Sequence, residues 1–404
     1  MMDATEEAFN QASETETEDP AESSVAEASD VFDPDADSVD AKPVRAEESL
    51  RYFGADFDVD GLVRRLEKGT FIIPTFEPHA EEGTDGYEGF QRGLVWKKRQ
   101  MDRFIESILL GYPVPGVFLV ELPSRRYLVL DGQQRMTTLH SFVHGKYKTP
   151  SGSRKFSLRY VGDEFQGLTY ESLPPEARRL FDNTFIQATI VVPKESGGKK
   201  AVYALFERIN SGGTNLRPQQ IRVALFAGAT VNFVRELNQN EDWRAIFGPH
   251  NRDLKDHELI LRALSLAPTA RGEQIFKPPM AKYLNEYLES HEESLPNDSE
   301  GIKERFAKAC LLLHQAAGRD SLRLGGRQVN AAHTDATLAG LMTVLEDGVD
   351  LGVEDVRSAL SRLTGSVEYR KSVSESTSHS EQVKKRIDLS VKAFSGDSLA
   401  DEPK

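Results

Sequence analysis

The residues best suited to chemistry form one short run, Asp131-Gly132-Gln133-Gln134-Arg135. A carboxylate can cap a helix or hold a metal ion or a hydroxyl group, glycine lets the main chain approach a ligand closely, and two carboxamides offer neutral donors and acceptors. The arginine adds a planar guanidinium that binds phosphate oxygens in a bidentate manner. Together these residue types indicate an anion site, with polyphosphate as the ligand that suits them best.

The elements on either side of this run predict how it is positioned. An apolar, strand-like segment over residues 126–130 precedes it, and apolar residues at Met136, Leu139 and Val143 follow with helical spacing. The first N–H groups of a helix lack intrahelical partners and carry the positive end of the macrodipole, which favours an anion. We therefore predict a phosphate-binding corner. The alternative is that Asp-Gly forms a common structural turn between a strand and a helix.

The run, followed by Met-Thr-Thr-Leu, resembles the signature of the DGQQR family. This family includes the N-terminal domain of GmrSD-type modification-dependent restriction enzymes and related phage-defence proteins. Other pieces that resemble the family in order and spacing are Gln91-Arg92, Trp96, residues 105–120 and residues 205–216. The resemblance is specific over about residues 55–225 and weaker from there to about residue 395.

The resemblance implies a core similar to the ParB and sulfiredoxin fold, in which a strand-to-helix turn holds nucleotide phosphates. It also implies binding or hydrolysis of an NTP, GTP or ATP, linked to restriction of foreign DNA, with Mg²⁺ as a candidate cofactor. In the predicted site Asp131 and Arg135 are the catalytic residues. The predicted nucleotide-binding residues are Arg92, Gly132, Gln133, Gln134, Thr138, Asn210, Gly212 and Gly213.

A second polar loop, residues 210–215, contains two adjacent glycines that permit positive φ, and Asn210 is suited to a hydrogen bond with ribose or phosphate. By itself this loop is equally typical of a turn between two helices. In the family the segment continues to a glutamate, and Gln220 occupies the matching position here. A glutamine cannot act as a base and is a poorer ligand for a hard cation, which puts carboxylate chemistry at this position in doubt.

Missing motifs narrow the function. The sequence has no G-x-x-x-x-G-K-S/T loop, no G-x-G-x-x-G and no H-E-x-x-H. GmrSD-type enzymes carry a His-Asn-His nuclease module in their second half, and no such module is recognisable here. We therefore expect an NTP-hydrolysing component whose DNA cleavage, if any, comes from a nuclease partner. The alternative is a DNA-binding or partner-docking module without catalysis.

The charge is distributed unevenly. Residues 1–50 hold 16 acidic and two basic residues, which accounts for the net charge of −14, and the other 354 residues hold 48 of each sign. A DNA-binding surface would therefore be a local patch. With few large apolar side chains, residues 1–50 are predicted to be disordered, either as a solubilising extension or as an acidic arm that mimics DNA or covers a basic groove.

Cysteine content and hydropathy indicate the compartment. The single cysteine, Cys310, cannot form an internal disulfide and is predicted to be a small core residue. The first residues lack a basic start and an apolar run, and no apolar stretch is long enough to cross a bilayer. We expect a cytoplasmic protein that does not contact the membrane; the oligomeric state is left open.

The predicted fold class is α+β. A ParB/sulfiredoxin-like core with a small mixed sheet is expected over residues 51–225 and an all-helical domain over residues 226–395, with disordered tails at 1–50 and 396–404. Basic residues between 145 and 180 are compatible with a β-ribbon that touches nucleic acid or with a solvated loop. Two charged clusters in the helical part also have two interpretations each. The first is either a metal site or a charged helix start, and consists of Asp253, Asp256, His257 and Glu258. The second either contacts phosphate groups or forms a solvated helix face, and consists of Lys384, Lys385 and Arg386.

Overall fold

The computed structural model describes residues 31–33, 49–73, 96–122, 125–149, 152–194, 198–209, 217–251, 253–291, 295 and 298–399. Its strands, in chain order, are β1 (Val31–Phe32), β2 (Leu50–Asp58), β3 (Phe71–Ile72), β4 (Val117–Leu122), β5 (Arg126–Asp131), β6 (Lys146–Thr149), β7 (Gly152–Lys155), β8 (Phe185–Pro193) and β9 (Val329–Asn330).

The helices, in chain order, are α1 (Val59–Glu67), α2 (Lys98–Leu109), α3 (Gln133–Val143), α4 (Pro175–Asp182), α5 (Gly198–Ile209), α6 (Pro218–Leu225), α7 (Ala229–Leu237), α8 (Glu241–Phe247), α9 (Lys255–Ala270), α10 (Met280–Ser290), α11 (Ser299–Ala317), α12 (Ala331–Glu346), α13 (Val353–Gly365), α14 (Val367–Ser372) and α15 (Ser380–Phe394). The predicted α+β class with a helical C-terminal region is confirmed. None of the helices described is long and apolar enough to cross a membrane.

A five-stranded mixed sheet in the order β2-β8-β4-β5-β3 forms the centre of the N-terminal half. β4 pairs antiparallel with β5 and parallel with β8, and β3 pairs parallel with β5. β8, whose sequence is rich in β-branched residues, is an interior strand that lies between β2 and β4. β2 itself was not predicted. It is an edge strand that leaves Tyr52 and Phe53 exposed, so the aromatic residues in its sequence do not mark a buried element.

Both faces of the sheet are covered, which suits its apolar strand sequences. On one face Leu119 and Ile186 pack in a cluster with α1 to α4, whose buried residues include Leu139. On the other face Val120 and Leu128 join a cluster that includes α5 and continues into the helices beyond residue 225. Helix α3 is therefore held between the sheet and the other helices of the first cluster, which fixes both of its ends.

The structure differs from the predicted disorder of residues 1–50 at residues 31–33. Val31 and Phe32 pair with β9 in parallel, and the carboxylate of Asp33 lies 2.5 Å from Nη2 of Arg262. The Asp33 side chain is 5% exposed. The composition of residues 1–50 could not predict that residues 31–33 pack on the helical half. The carboxylate of Asp33 balances a buried arginine that lies far away in the sequence, and composition does not show such a partner.

Several ionisable groups of the helical half are buried in ion pairs. Asp256, one of the residues considered for a metal site, accepts hydrogen bonds from Arg244 at 2.9 Å and Asn238 at 3.0 Å. Burial would raise the pKa of Asp256, but His257, His250, Arg244 and Asn238 outweigh it and hold that pKa well below its usual range. Glu258 pairs with Arg262 at 2.6 Å. These carboxylates face arginines, so neither a metal nor solvent is needed to balance them.

Arg386 corrects the expectation for the basic C-terminal helix. Its side chain is 1% exposed, and Nε and Nη2 donate to the two carboxylate oxygens of Asp335 at 2.9 and 3.0 Å. It therefore neither touches a phosphate backbone nor belongs to a solvated face. The neighbouring lysines lie on the surface, where Lys384 pairs with Asp388 and Lys385 with Glu368. The core expectation for Cys310 is confirmed by its full burial.

We predict that Arg386→Met destabilises the protein by about 3–5 kcal/mol, because it leaves the Asp335 carboxylate buried without a partner. Urea unfolding of the full chain measures this loss. The double variant Arg386→Met/Asp335→Leu should recover much of it. Lys384→Met, which removes an exposed i,i+4 pair, should cost no more than about 0.5 kcal/mol. Equal losses for Arg386→Met and Lys384→Met would contradict the interpretation.

Candidate functional site

The predicted strand-to-helix corner is present. β5 ends at Asp131, α3 begins at Gln133, and Gly132 between them has φ +92° and ψ 8°. This left-handed conformation suits glycine because other residues place Cβ too close to the main chain. A Cβ on Gly132 would also lie 2.4 Å from Cγ1 of Val117 at the start of β4. The close packing of the corner against β4 therefore requires glycine.

The guanidinium of Arg135 points toward the protein. Its Nη2 donates to the carbonyl oxygen of Gly116 at 2.8 Å and to Oδ2 of Asp131 at 2.7 Å. The side chain is 16% exposed, and its buried Nε has no hydrogen-bond partner within the described structure. The Nη2 atom of the guanidinium that was predicted to bind phosphate therefore links the first turn of α3 to the start of β4 and the end of β5.

The other polar side chains of the motif also bind within the corner. Gln133 donates from its carboxamide to the carbonyl oxygen of Val129 at 2.9 Å. Gln134 accepts the main-chain N–H of Trp96 at 3.2 Å, and the hydroxyl of Thr138 donates to the Gln134 carbonyl oxygen at 2.7 Å. Thr138 is fully buried. Each of these contacts positions the start of α3 relative to its neighbours.

Two groups at the corner remain available for a ligand. The Asp131 side chain is 42% exposed, and only its Oδ2 atom is engaged with Arg135. Gly132, the N-cap of α3, has no side chain that could cap the helix, and the N–H groups of a first turn have no intrahelical acceptor. The corner therefore presents an exposed carboxylate oxygen, suited to a cation, beside main-chain donors suited to an anion.

The predicted site is only partly within the described structure. Arg92, Asn210, Gly212 and Gly213 lie outside the described residues. Trp96, four positions after Arg92, hydrogen-bonds to Gln134 and packs edge-to-face on Phe104 with ring centroids 5.5 Å apart. This part of the chain therefore enters the described structure at the corner.

Gln220, which replaces the glutamate of the family pattern, has a structural partner. It is fully buried, and its Oε1 accepts the main-chain N–H of Arg217 at 2.8 Å across the start of α6. A neutral carboxamide can cap a helix in this way without the cost of burying a charge. Its environment explains why glutamine suits this position.

Residues 66–227 match the family model described as GmrSD restriction endonuclease, N-terminal domain. This match supports the GmrSD-type family for that segment. The match contains the corner, both of its strands and α1 through α6 in whole or in part, so the resemblance carried by Asp131 to Arg135 is confirmed. No curated protein shows a significant match to this chain.

Sequence reasoning did not single out His140 and His144. In the structure these two side chains lie on α3 with their ring centroids 4.3 Å apart, and Nε2 of His144 is 2.8 Å from Oε1 of Glu67. Their i,i+4 spacing was the available signal, because residues four apart share one face of a helix. Glu67 is distant in sequence, and only the packing of α1 against α3 brings it to this face.

We predict that Gly132→Ala destabilises the domain by more than 2 kcal/mol, from about 1–2 kcal/mol of left-handed strain plus the clash with Val117. Gly111→Ala is the matched control, since Gly111 has φ +73° with nothing within 4 Å of an added Cβ. It should show the strain alone. Urea unfolding of the two variants measures the difference. If they lose the same stability, the close packing at Gly132 is not what requires glycine.

Proposed function

We propose that this chain is the nucleotide-binding and NTP-hydrolysing component of a restriction or phage-defence system that acts on DNA. The match of residues 66–227 to the GmrSD N-terminal domain supports the system, and the corner between β5 and α3 supports the nucleotide. The observation that carries the nucleotide site is the uncapped start of α3 at Gly132, with the Asp131 carboxylate exposed beside it.

The main-chain N–H groups of the first turn of α3 would bind the phosphates, because they lie at the positive end of the helix dipole and have no acceptor within the helix. Asp131 would ligate Mg²⁺ through its free oxygen, and the metal would neutralise the phosphate charge. Arg135 is held 2.7 Å from Asp131. Its charge would stabilise the transferring phosphoryl group, so catalysis would come from positioning and electrostatics rather than from a general base.

DNA cleavage would be supplied by a nuclease partner. The helical half buries some of its ionisable groups in internal pairs, such as Asp335 with Arg386, and these groups belong to its core rather than to a second reaction centre. ATP or GTP, with Mg²⁺, is the proposed cofactor.

We predict that ATP or GTP with Mg²⁺ raises the thermal stability of the full chain, because a ligand at about 100 times its dissociation constant adds about 2.7 kcal/mol. Arg135→Ala should lose this shift and the accompanying phosphate release. Asp131→Asn should lose the part that depends on Mg²⁺. Arg357→Ala is a matched control, since Arg357 also bonds a main-chain carbonyl, that of Ala316, and a nearby carboxylate, that of Glu354.

The proposal is wrong if no nucleotide stabilises the parent chain, or if Arg135→Ala responds to nucleotide as the parent does. Circular dichroism of each variant separates loss of binding from loss of fold. Retention of the shift in Arg357→Ala would show that removing an arginine of this kind does not by itself abolish the response.

A second candidate function, DNA binding without catalysis, rests on the ribbon formed by β6 and β7. The ribbon exposes Lys146, Lys148, Arg154 and Lys155, and three of these line a cavity of about 400 Å³. Four phosphate contacts would give a slope of about −3.6 in a plot of log affinity against log salt. DNA affinity with this salt dependence, unchanged by nucleotide, would favour the second function over the first.

A further inference from the structure

A cluster of potential metal ligands lies at the end of α3 opposite the corner. It consists of Glu67, His140 and His144, whose ligating atoms all lie within 4.8 Å of one another. Within the described part of the chain, this is the group in which three or more His, Cys, Asp or Glu side chains bring their ligating atoms this close together. Its members come from two helices that the sheet packing brings together.

The helical spacing presets the two imidazoles. His140 and His144 are four residues apart on α3, so both project from one face, and their ring centroids are 4.3 Å apart. The same i,i+4 pair supplies the two histidine ligands of helical zinc sites. Glu67 approaches from α1, with Oε1 2.8 Å from Nε2 of His144. Tetrahedral zinc, with bonds of about 2.0–2.1 Å, would hold ligand atoms roughly 3.3 Å apart, so small side-chain rotations would admit the ion.

Two features favour a cation at the cluster itself, although the surface beside it is basic. Glu67 is the last residue of α1, and His144 is the C-cap of α3. The C-terminus of a helix carries partial negative charge from the helix dipole, and here the C-termini of α1 and α3 meet. The Glu67 carboxylate adds a full negative charge. An ion bound here would therefore be attracted by groups beyond its direct ligands.

We propose that Glu67, His140 and His144 bind a divalent transition metal ion of the Zn²⁺ class. Two imidazoles and one carboxylate form a set typical of sites that keep one or more coordination positions open. The side chains of His144 and Glu67 are 46% and 41% exposed, so solvent or a ligand can reach those positions. Mg²⁺ prefers oxygen ligands, which separates this site from the Mg²⁺ proposed at Asp131.

The surroundings indicate what could approach the metal. His144 also lines the cavity of about 400 Å³ beside Lys146, Arg154 and Lys155. Positive side chains around such a cavity favour an anionic ligand. The open coordination position therefore lies close to a basic surface. This proposal does not depend on nucleotide binding at the other end of α3.

The test is calorimetric titration of the full chain with Zn²⁺ after treatment with a chelator. We expect a site of 1:1 stoichiometry, a weakening of at least tenfold in His144→Ala and in Glu67→Gln, and no saturable binding of Mg²⁺ at this cluster. Glu67→Gln keeps the shape of the side chain and removes its charge, so it remains informative if His144→Ala fails to fold. Visible absorption of added Co²⁺ gives a second readout of the ligand set.

His314→Ala is the matched control. His314 is an exposed histidine whose Nδ1 lies 2.8 Å from Oδ1 of Asp242, the same pairing of imidazole with carboxylate but on another helix. This control should bind Zn²⁺ as the parent does. The proposal is overturned if the parent shows no Zn²⁺ binding in the micromolar range. It is also overturned if parent, His144→Ala and Glu67→Gln bind equally, which would assign the metal to other residues and leave Glu67 and His144 as a hydrogen bond that joins two helices.

Discussion

The hydrogen bonds of Arg135 hold together the corner between β5 and α3. One nitrogen of this side chain donates to Gly116, just before β4, and to Asp131, the last residue of β5. Charge-assisted bonds of this kind are shorter and stronger than neutral ones. The guanidinium thus fixes the start of α3 against two adjacent strands. Together with the bonds of Gln133, Gln134 and Thr138, it sets the position of the main-chain donors of the first turn.

This arrangement changes how the motif can act. The carboxamides of Gln133 and Gln134 and the hydroxyl of Thr138 serve the corner itself. The groups left to contact a ligand directly are therefore the main chain and one carboxylate, and Arg135 would act on a ligand through its charge. A nucleotide bound there would meet a rigid set of donors whose orientation is fixed before binding, which reduces the cost of ordering the site.

Helix α3 has chemically opposite ends. Its N-terminus at Gly132 favours an anion, and its C-terminus carries two imidazoles beside the carboxylate of Glu67. The helix dipole accounts for the first property, and the side chains of the last turn together with Glu67 account for the second. Because α3 lies against the sheet on one side and other helices on the other, its ends are held in place together.

The sequence by itself determined the local elements and the family. The apolar spacing over α2 and α3, the β-branched run of β8 and the turn at Gly132 all specify structure through contacts with near neighbours, so they could be predicted. The tertiary structure alone decided where the polar groups point. The sequence predicted Arg386 on the surface, but in the structure it is buried against Asp335. The sequence predicted Asp33 in a disordered tail, but in the structure it pairs with Arg262. Whether Arg135 faces solvent or Gly116, and whether Glu67 reaches His144, depends on residues distant in the chain, because a side chain bonds to whichever partner the packing brings near.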